Sequence, residues 1–301
     1  MNKPAVPDAF TRGVLVASLI CLLVCAGSAL AGQPTIVFMS DFGTIDDSVA
    51  ICKGVMIGIE PDLRIIDITH EVTPFSVSDA ARFLAGVISY FGPDTVFVVV
   101  VDPGVGSARK PIVAKSRKGH YFVLPDNGLI TMVEDADGIE SVREIRNEEW
   151  MTGRALSSTF HGRDIFAPVA AHIAARKDWT TVGPLSSNHV RLQLKQPQMN
   201  EDGISGEIIG LDGPYGNLVT NVSAELFAQL GYKPGQTVSA RIKEQQFQIP
   251  FVKTFSDVPV NQPLFYIDSR GRLGVAINHG NFASSYSVIP PARLQILRPQ
   301  E

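Results

Sequence analysis

The sequence has few cysteines and no concentrated block of one charge. Only three cysteines occur in 301 residues, and two of them, Cys21 and Cys25, lie in an apolar N-terminal stretch. If that stretch is removed, Cys52 remains alone, which excludes an internal disulfide; with six scattered histidines, it also disfavours a Cys/His metal cluster. The formal net charge is −4 and no run of lysines and arginines occurs, so we expect no nucleic-acid-binding surface.

Common catalytic and nucleotide-binding motifs are also missing. The chain has no G-x-S-x-G, no phosphate-binding Walker loop and no G-x-G-x-x-G. These absences disfavour a serine-hydrolase elbow, a P-loop NTPase and a dinucleotide-binding fingerprint. Any chemistry must therefore be sought in other loops.

The first 31 residues differ in character from the rest. Lys3 and Arg12 precede an apolar segment over 13–27, and Ala29-Leu30-Ala31 follows it. A basic region, a short apolar core and an A-x-A site are typical of a secretory signal peptide. We expect cleavage after Ala31, a periplasmic or secreted protein, and no stable membrane span afterwards. An uncleaved anchor stays an alternative, whereas a lipoprotein anchored through Cys25 is disfavoured by the bulky residue before it.

The remaining sequence predicts an α/β domain followed by a smaller all-β domain. Short apolar runs alternate with helical patterns, as in a mostly parallel sheet with flanking helices. After about residue 203 the runs are short, alternating and separated by turns, which favours a barrel-like domain. We assign 1–31 to the signal peptide, 32–190 to the α/β domain, 191–202 to a linker and 203–301 to the barrel. The predicted strands are 35–39, 63–68, 98–101, 111–115, 120–124, 205–211, 237–242, 264–267, 273–277 and 292–297. The predicted helices follow Asp47, begin near Ser78-Asp79, follow Gly128, follow Asp164 and span 223–230.

One strand end attracts attention as a site. The apolar run 98–101 stops at Asp102, and a Pro-Gly-Val-Gly turn then leads to Arg109. Open α/β sheets place ligands at the carboxyl ends of their strands, so Asp102 is either catalytic or an ordinary strand cap. The topology brings two further loops to this edge, 41–48 and 69–75, and 160–164 is a fourth candidate.

The histidines by themselves are weak evidence. A lone residue such as His161 is more often structural than catalytic. Asp46 and Asp47 beside His70 and His161 have no recognised ligand spacing, so no metal is expected.

Six motifs taken together resemble one enzyme family. The chain resembles the S-adenosyl-L-methionine (SAM) hydroxide adenosyltransferases, the adenosine-forming SAM hydrolases related to the fluorinase and chlorinase. The motifs, in order, are Ser40-Asp41-Phe42-Gly43-x-x-Asp46, Asp67-Ile68-Thr69-His70, Val101 to Gly106, Pro125-Asp126-Asn127-Gly128, Thr159 to Asp164 and Tyr215 to Asn221.

The resemblance implies hydrolysis of SAM by water at the ribose 5′ carbon, giving adenosine and L-methionine, with SAM as substrate and no cofactor. The water-handling triad would be Asp102, Arg109 and His161. It also implies a homotrimer, with the substrate between the first domain of one subunit and the second domain of its neighbour. The implied substrate contacts are Asp41 and Ser48 at the ribose, Phe75 beside ribose and methionine, Asp212, Ser269 and Arg270 at the amino-acid end, and Tyr215, Asn217 and Phe255 near adenine.

Two departures bear on the alternatives. The fluorinase has tyrosines at the positions of Asp102 and His161 and a halide-handling serine where this chain has Gly162, so a halogenase is the less favoured reading. Ile277 and His279 stand where the fluorinase has arginine and alanine, which leaves the adenine contacts open. A third alternative is an exported protein that binds SAM or adenosine without turnover, although the intact triad speaks against it.

Overall fold

A computed structural model describes residues 32–299, and the proposed signal peptide lies outside the described residues. The first domain is built on a six-stranded sheet with the order β2-β1-β3-β5-β4-β6. Its elements are β1 (Thr35–Ser40), α1 (Ser48–Ile59), β2 (Arg64–Thr69), α2 (Val77–Val87), β3 (Val96–Val100), β4 (Pro111–Ser116), β5 (Tyr121–Pro125), α3 (Thr131–Asp137), β6 (Ile139–Glu144), a π-helical segment (Gly162–Phe166) and α4 (Ala167–Ala174). Single 3₁₀ turns cover Ile88–Tyr90, Glu148–Trp150 and Trp179–Thr181.

The central strand is the valine-rich run noted in the sequence. All five residues of β3 are buried, and β3 pairs in parallel with β1 on one side and β5 on the other. Helices cover both faces: α1 and α4 pack on the face that carries Val98, while α2 and α3 pack on the face that carries Val99. Burial on both faces explains why the strand is apolar throughout.

Two local expectations for this domain were wrong or incomplete. Helix α2 begins at Val77, one residue before the predicted start, because the Ser76 hydroxyl caps it by accepting from the Asp79 amide at 3.3 Å. Strand β6 was not predicted; it adds antiparallel to β4 at the sheet edge, and its charged residues mask the strand pattern.

The second domain is an antiparallel, nearly closed barrel, as predicted. Its strands run in the order β11-β10-β14-β8-β9-β13-β12, and a bridge between Phe251 and Phe265 joins the two ends. Its elements are β7 (Gln198–Met199), β8 (Gly203–Asp212), β9 (Asn217–Ser223), α5 (Ala224–Ala228), β10 (Thr237–Ile242), β11 (Gln245–Pro250), a 3₁₀ turn (Phe255–Asp257), β12 (Pro263–Ile267), β13 (Arg272–Ile277), α6 (Phe282–Tyr286) and β14 (Ala292–Leu297). Strands β7, β9 and β11 were missed: β7 has only two residues and lies in the predicted linker, β9 is largely buried on both faces, and β11 is a glutamine-rich edge, so none shows a clear alternation.

The proposed linker is held against the first domain. Arg191 forms ion pairs with Glu134 and Asp135, and the Leu192 amide donates to the Thr131 hydroxyl at 2.9 Å. The chain then enters the barrel at β7. Among residues 32–299, no helix combines the length and the apolar character needed to cross a bilayer.

Candidate active site

Three loops meet at the carboxyl edge of the parallel strands, as their topology predicts. The Ser40 hydroxyl at the end of β1 lies 2.7 Å from Nδ1 of the buried His70, which follows β2. The Phe75 amide donates to the Asp41 carboxylate at 2.9 Å. His70 thereby joins the ends of two strands, and the loop after β2 is tied to the loop that carries Asp41.

The turn after β3 places Asp102. The Asn127 side-chain amide donates to the Val101 carbonyl at 2.9 Å and so holds the end of the strand. The Gly104 amide donates to the Asp102 carboxylate at 3.2 Å, which begins the turn. The Ser107 hydroxyl donates to the Gly104 carbonyl at 2.6 Å and accepts from the Arg109 amide at 3.2 Å. These bonds curl the chain so that Arg109 returns to Asp102.

The Arg109 guanidinium joins Asp102 and His161. Its Nε donates to Oδ1 of Asp102 at 3.1 Å, and its Nη2 donates to Oδ2 of the same carboxylate. Nη2 also lies 3.0 Å from Nδ1 of His161. The side chains of Arg109 and Asp102 are only 6% and 5% exposed. The three residues that the resemblance assigned to water handling therefore form one hydrogen-bonded group.

This arrangement decides the tautomer of His161. An arginine can only donate, so Nδ1 of His161 accepts and the ring proton resides on Nε2. Burial lowers the pKa of His161, and the positive charge of Arg109 lowers it further, against a smaller opposing effect of Asp102. His161 is therefore a neutral ring that presents an N–H donor on its free side.

The segment before His161 is positioned by a buried carboxylate. Asp164 is 1% exposed; it accepts from the Ser157 amide at 2.8 Å and from the Arg163 Nε at 2.7 Å. Burial raises the pKa of Asp164, but the Arg163 and Ser157 hydrogen bonds prevail and lower it below its ordinary value. A charged Asp164 thus closes the loop that delivers His161 to the site.

Two glycines allow the loops to approach. Gly106 has φ +75°, and a Cβ there would lie 2.4 Å from the Ser158 carbonyl oxygen. Gly162 has an ordinary φ, but a Cβ there would lie 2.9 Å from the Phe42 ring. Both positions therefore require the absence of a side chain, and Gly106 also adopts a backbone conformation that glycine favours.

The first domain carries a pocket of about 240 Å³ at this edge. Of the predicted residues, Asp41, Phe75, Asp102 and His161 line it, whereas Arg109 and Ser48 are not among its lining residues. Lining residues that the sequence reasoning did not assign are Phe42, Pro74, Val100, Val105, Thr159, Phe160 and Gly162. The motif from Thr159 to Asp164 was the available signal for three of them.

The second domain carries a separate pocket of about 850 Å³. Five predicted residues line it: Asp212, Tyr215, Asn217, Phe255 and Ser269. Arg270 does not; its guanidinium lies against Gly86 of α2 instead. Ile277 and His279, which the sequence comparison with the fluorinase singled out near the adenine, also line it. The lining residues without a sequence-based assignment are Pro214, Tyr266, Asp268, Asn278, Gly280 and Asn281.

Burial raises the pKa of two side chains in this second pocket, the Asp212 carboxyl and the Tyr266 hydroxyl. Burial raises the pKa of Asp212, which the nearby Arg82 and Arg270 partly offset. Burial also raises the pKa of Tyr266 to about 12, with Asp212 and Asp268 acting in the same direction. The Tyr266 hydroxyl is therefore protonated and available as a donor at neutral pH.

Within the part of the chain that the structure describes, no three His, Cys, Asp or Glu residues are grouped to hold a metal ion.

Fold and site together define a two-domain protein, an α/β domain joined to a small barrel, with an Asp-Arg-His group at the sheet edge. The family profile described as SAM hydroxide adenosyltransferase N-terminal domain matches residues 36–183, and the corresponding C-terminal profile matches residues 206–295. A Salinispora tropica protein named (R)-S-adenosyl-L-methionine hydrolase is 38% identical over 272 residues, covering 89% of this chain and 99% of that protein.

Two further relatives extend the comparison. A fluorinase of Actinoplanes sp. is 32% identical over 286 residues, covering 85% of this chain and 95% of the fluorinase. The crystal structure of a conserved protein from Thermotoga maritima matches with a TM-score of 0.83 and 39% sequence identity. The match covers 87% of this chain and 100% of that chain. The chain belongs to the SAM hydroxide adenosyltransferase family, which confirms the resemblance noted in the sequence.

Proposed function

We propose that this protein hydrolyses SAM to adenosine and L-methionine. The observation that carries the proposal is the Arg109 guanidinium that joins Asp102 to His161 beside the first-domain pocket. The names of the hydrolase relatives agree with it. Those names specify the (R) sulfonium, so we take that epimer as the substrate.

The reaction needs a positioned nucleophile more than it needs help for the leaving group. The sulfonium leaves as a neutral thioether, so neither a metal nor an acid is required to assist its departure. A lone pair of the water oxygen forms the new bond to the 5′ carbon. At the same time the carbon–sulfur bond breaks, and the electron pair of that bond goes to sulfur. Holding the water in line with that bond is the main contribution of the site.

Asp102 and His161 have different roles in this proposal. Asp102 lines the pocket, and among the described residues its Oδ2 accepts only from Arg109, so the carboxylate keeps acceptor capacity and in this proposal accepts the proton of the attacking water. His161 donates its Nε2–H to the water oxygen, because its Nδ1 is occupied by Arg109. Arg109 is a positioning residue, since it contacts both groups but does not line the pocket.

Halogenase chemistry is disfavoured by the space at position 162. A serine there would bring its Cβ to 2.9 Å from the Phe42 ring, so the side chain implied for halide handling does not fit without movement. The fluorinase relatives make halide use the second candidate, and the product decides between the two.

The experiment is incubation of the purified protein with (R)-SAM in ¹⁸O-labelled water, with and without added chloride or fluoride. We expect adenosine that carries the label at its 5′ oxygen, together with methionine. A halogenated nucleoside would establish the halogenase reading instead. Bound SAM without turnover would refute the hydrolase and favour the binding protein.

We also propose that the active site is completed by a neighbouring subunit of a homotrimer. The pockets of the first and second domains share no lining residue within one chain. The first-domain pocket of about 240 Å³ is smaller than the roughly 300–1,000 Å³ of typical ligand pockets. Phe75 and Tyr215 line the two pockets and are 73% and 66% exposed, as expected for residues that a partner covers. A head-to-tail contact closes into a ring only when its rotation is a whole fraction of a turn, and the proposed trimer requires one third of a turn.

Mixing two inactive variants tests this assembly. Asp102→Ala affects the first domain and Asn217→Ala the second, so subunits of both kinds, unfolded and refolded together, should regain about a quarter of the native activity. Each variant refolded alone is the control. A mixture that stays inactive, or a monomer in light scattering, would contradict the shared site.

Export is proposed from the N-terminal pattern alone. We infer that the protein is periplasmic or secreted after cleavage behind Ala31, with a leader typical of signal peptides. Cell fractionation and N-terminal sequencing test this proposal: a mature protein that begins at Gly32 supports it, and an intact N-terminus in the cytoplasmic fraction contradicts it.

A further inference from the structure

A buried histidine at the sheet edge makes contacts that the catalytic proposal does not use. His70 follows β2; it is 5% exposed, and its ring meets the Phe38 ring edge-on, with the centroids 4.7 Å apart. Its Nδ1 lies 2.7 Å from the Ser40 hydroxyl. Its Nε2 lies 3.2 Å from Oδ1 of Asp67, a contact that is not aligned as a full hydrogen bond. Both ring nitrogens therefore face polar groups, although packing against Phe38 would need neither.

The charges around His70 determine which ring nitrogen carries the proton. Burial raises the pKa of Asp67, but the Lys53 ammonium at 2.6 Å and the contact with His70 prevail and lower it, so this carboxylate is charged. Burial lowers the pKa of His70 against the opposing effect of Asp67, so the ring is neutral at neutral pH. A carboxylate can only accept, so the ring proton resides on Nε2, and Nδ1 accepts from the Ser40 hydroxyl.

His70 holds the chain on both sides of Asp41. Its ring accepts from Ser40, the residue before Asp41, and its backbone carbonyl accepts from the Gly43 amide at 2.7 Å. The Phe75 amide donates to the Asp41 carboxylate at 2.9 Å and binds the carboxylate itself to the loop after β2. Asp41 is thus fixed between two contacts to one residue, and it lines the first-domain pocket.

Ser40 and His70 form a buried polar pair, which is a costly way to join two strands. Both groups give up their hydrogen bonds to water, and Ser40 is completely buried. Two apolar side chains would pack between the strands without this cost. A hydrogen bond, unlike an apolar contact, fixes both a distance and a direction. The pair is therefore suited to orienting the neighbouring Asp41, beyond holding β1 and β2 together.

We propose that His70 is a positioning residue for substrate recognition, which holds Asp41 in the geometry that binds the ribose hydroxyls. The inference rests on the proposed function, in which Asp41 makes the ribose contact that the resemblance implies. A carboxylate has two oxygens, so it can accept from both hydroxyls of a ribose only while its orientation is held. Lys53 and Asp67 act one step further out, because they favour the tautomer in which Nδ1 of His70 accepts.

The test compares two nucleosides by calorimetry on the full chain: adenosine, and 2′,3′-dideoxyadenosine, which lacks the ribose hydroxyls. His70→Phe removes both ring nitrogens but keeps a ring against Phe38. We expect it to weaken adenosine binding about tenfold or more, since a hydrogen bond to a charged group is lost, while dideoxyadenosine binds as it does to the native chain. Asp41→Ala gives the reference for a complete loss of the ribose contact.

His120→Phe is the matched control. His120 is 3% exposed, lies at the amino end of β5 in the same sheet and meets the Phe97 ring edge-on, with the centroids 5.6 Å apart. Any loss of stability in this variant should leave both affinities near the native values. If His70→Phe does not fold, Ser40→Ala replaces it, because it removes the same hydrogen bond from the other side. Its control is Ser116→Ala, since Ser116 is equally buried at the end of β4.

Three results would overturn the proposal. The first is a variant that distinguishes the two nucleosides as well as the native chain does. The second is an equal loss of affinity for both nucleosides, which indicates a general structural role. The third is a native chain that does not distinguish them. No readout depends on turnover, so failure here is distinguishable from failure of the proposed hydrolase, which the labelled-water experiment detects.

Discussion

Gly106→Ala tests how closely the Asp102 turn must approach the loop that carries His161. Gly106 has φ +75°, and the added Cβ would lie 2.4 Å from the Ser158 carbonyl oxygen. The left-handed conformation costs an alanine about 1–2 kcal/mol. Forcing the added methyl against the backbone costs about 1–3 kcal/mol more. We therefore expect the free energy of unfolding to fall by about 2–5 kcal/mol.

Gly153→Ala separates the two contributions. Gly153 lies in the same domain with φ +68°, and no atom lies within 4 Å of its added Cβ. It should lose only the conformational part, about 1–2 kcal/mol. Both substitutions change the unfolded chain alike, so the difference between them isolates the close approach.

The assays are urea unfolding and SAM turnover. Ser158 precedes His161 by three residues, so Gly106→Ala should also displace the ring and lower kcat, whereas Gly153→Ala should leave kcat near the native value. A Gly106→Ala protein no less stable than Gly153→Ala would refute the proposed contact.

Three further predictions follow from the site. Asp102→Asn should lower kcat about 10²–10⁴-fold while SAM binding measured by calorimetry stays near native, because the proton acceptor is lost but the shape is kept; an unchanged kcat would remove Asp102 from the mechanism. Burial lowers the pKa of His70, His161 and His172, so below about pH 6.5 the unfolded state binds more protons than the native state and the free energy of unfolding falls. Urea unfolding across this range measures the decline, and constant stability would contradict it. Dialysis against EDTA should leave turnover unchanged, because the sulfonium needs no Lewis acid, and activity restored only by added metal would contradict the cofactor-free proposal.

Much of the architecture is determined by local sequence. The apolar run of β3 predicts a central strand because both of its faces are buried, and the Pro-Gly-Val-Gly turn predicts a chain reversal after Asp102. The barrel strands β10 and β14 were placed with their observed bounds, since their side chains alternate between core and solvent. The ordered motifs alone identified the family.

Only the tertiary structure decided how these parts meet. Asp102, Arg109 and His161 span 60 positions in the chain, and their hydrogen bonds depend on the packing of two loops at Gly106. The absence of Arg109 from the pocket lining and the position of Arg270 against Gly86 are likewise long-range outcomes. No local pattern encodes them, because each depends on which surface a distant element presents. The sequence thus predicts which residues form the site, and the fold determines which of them are neighbours.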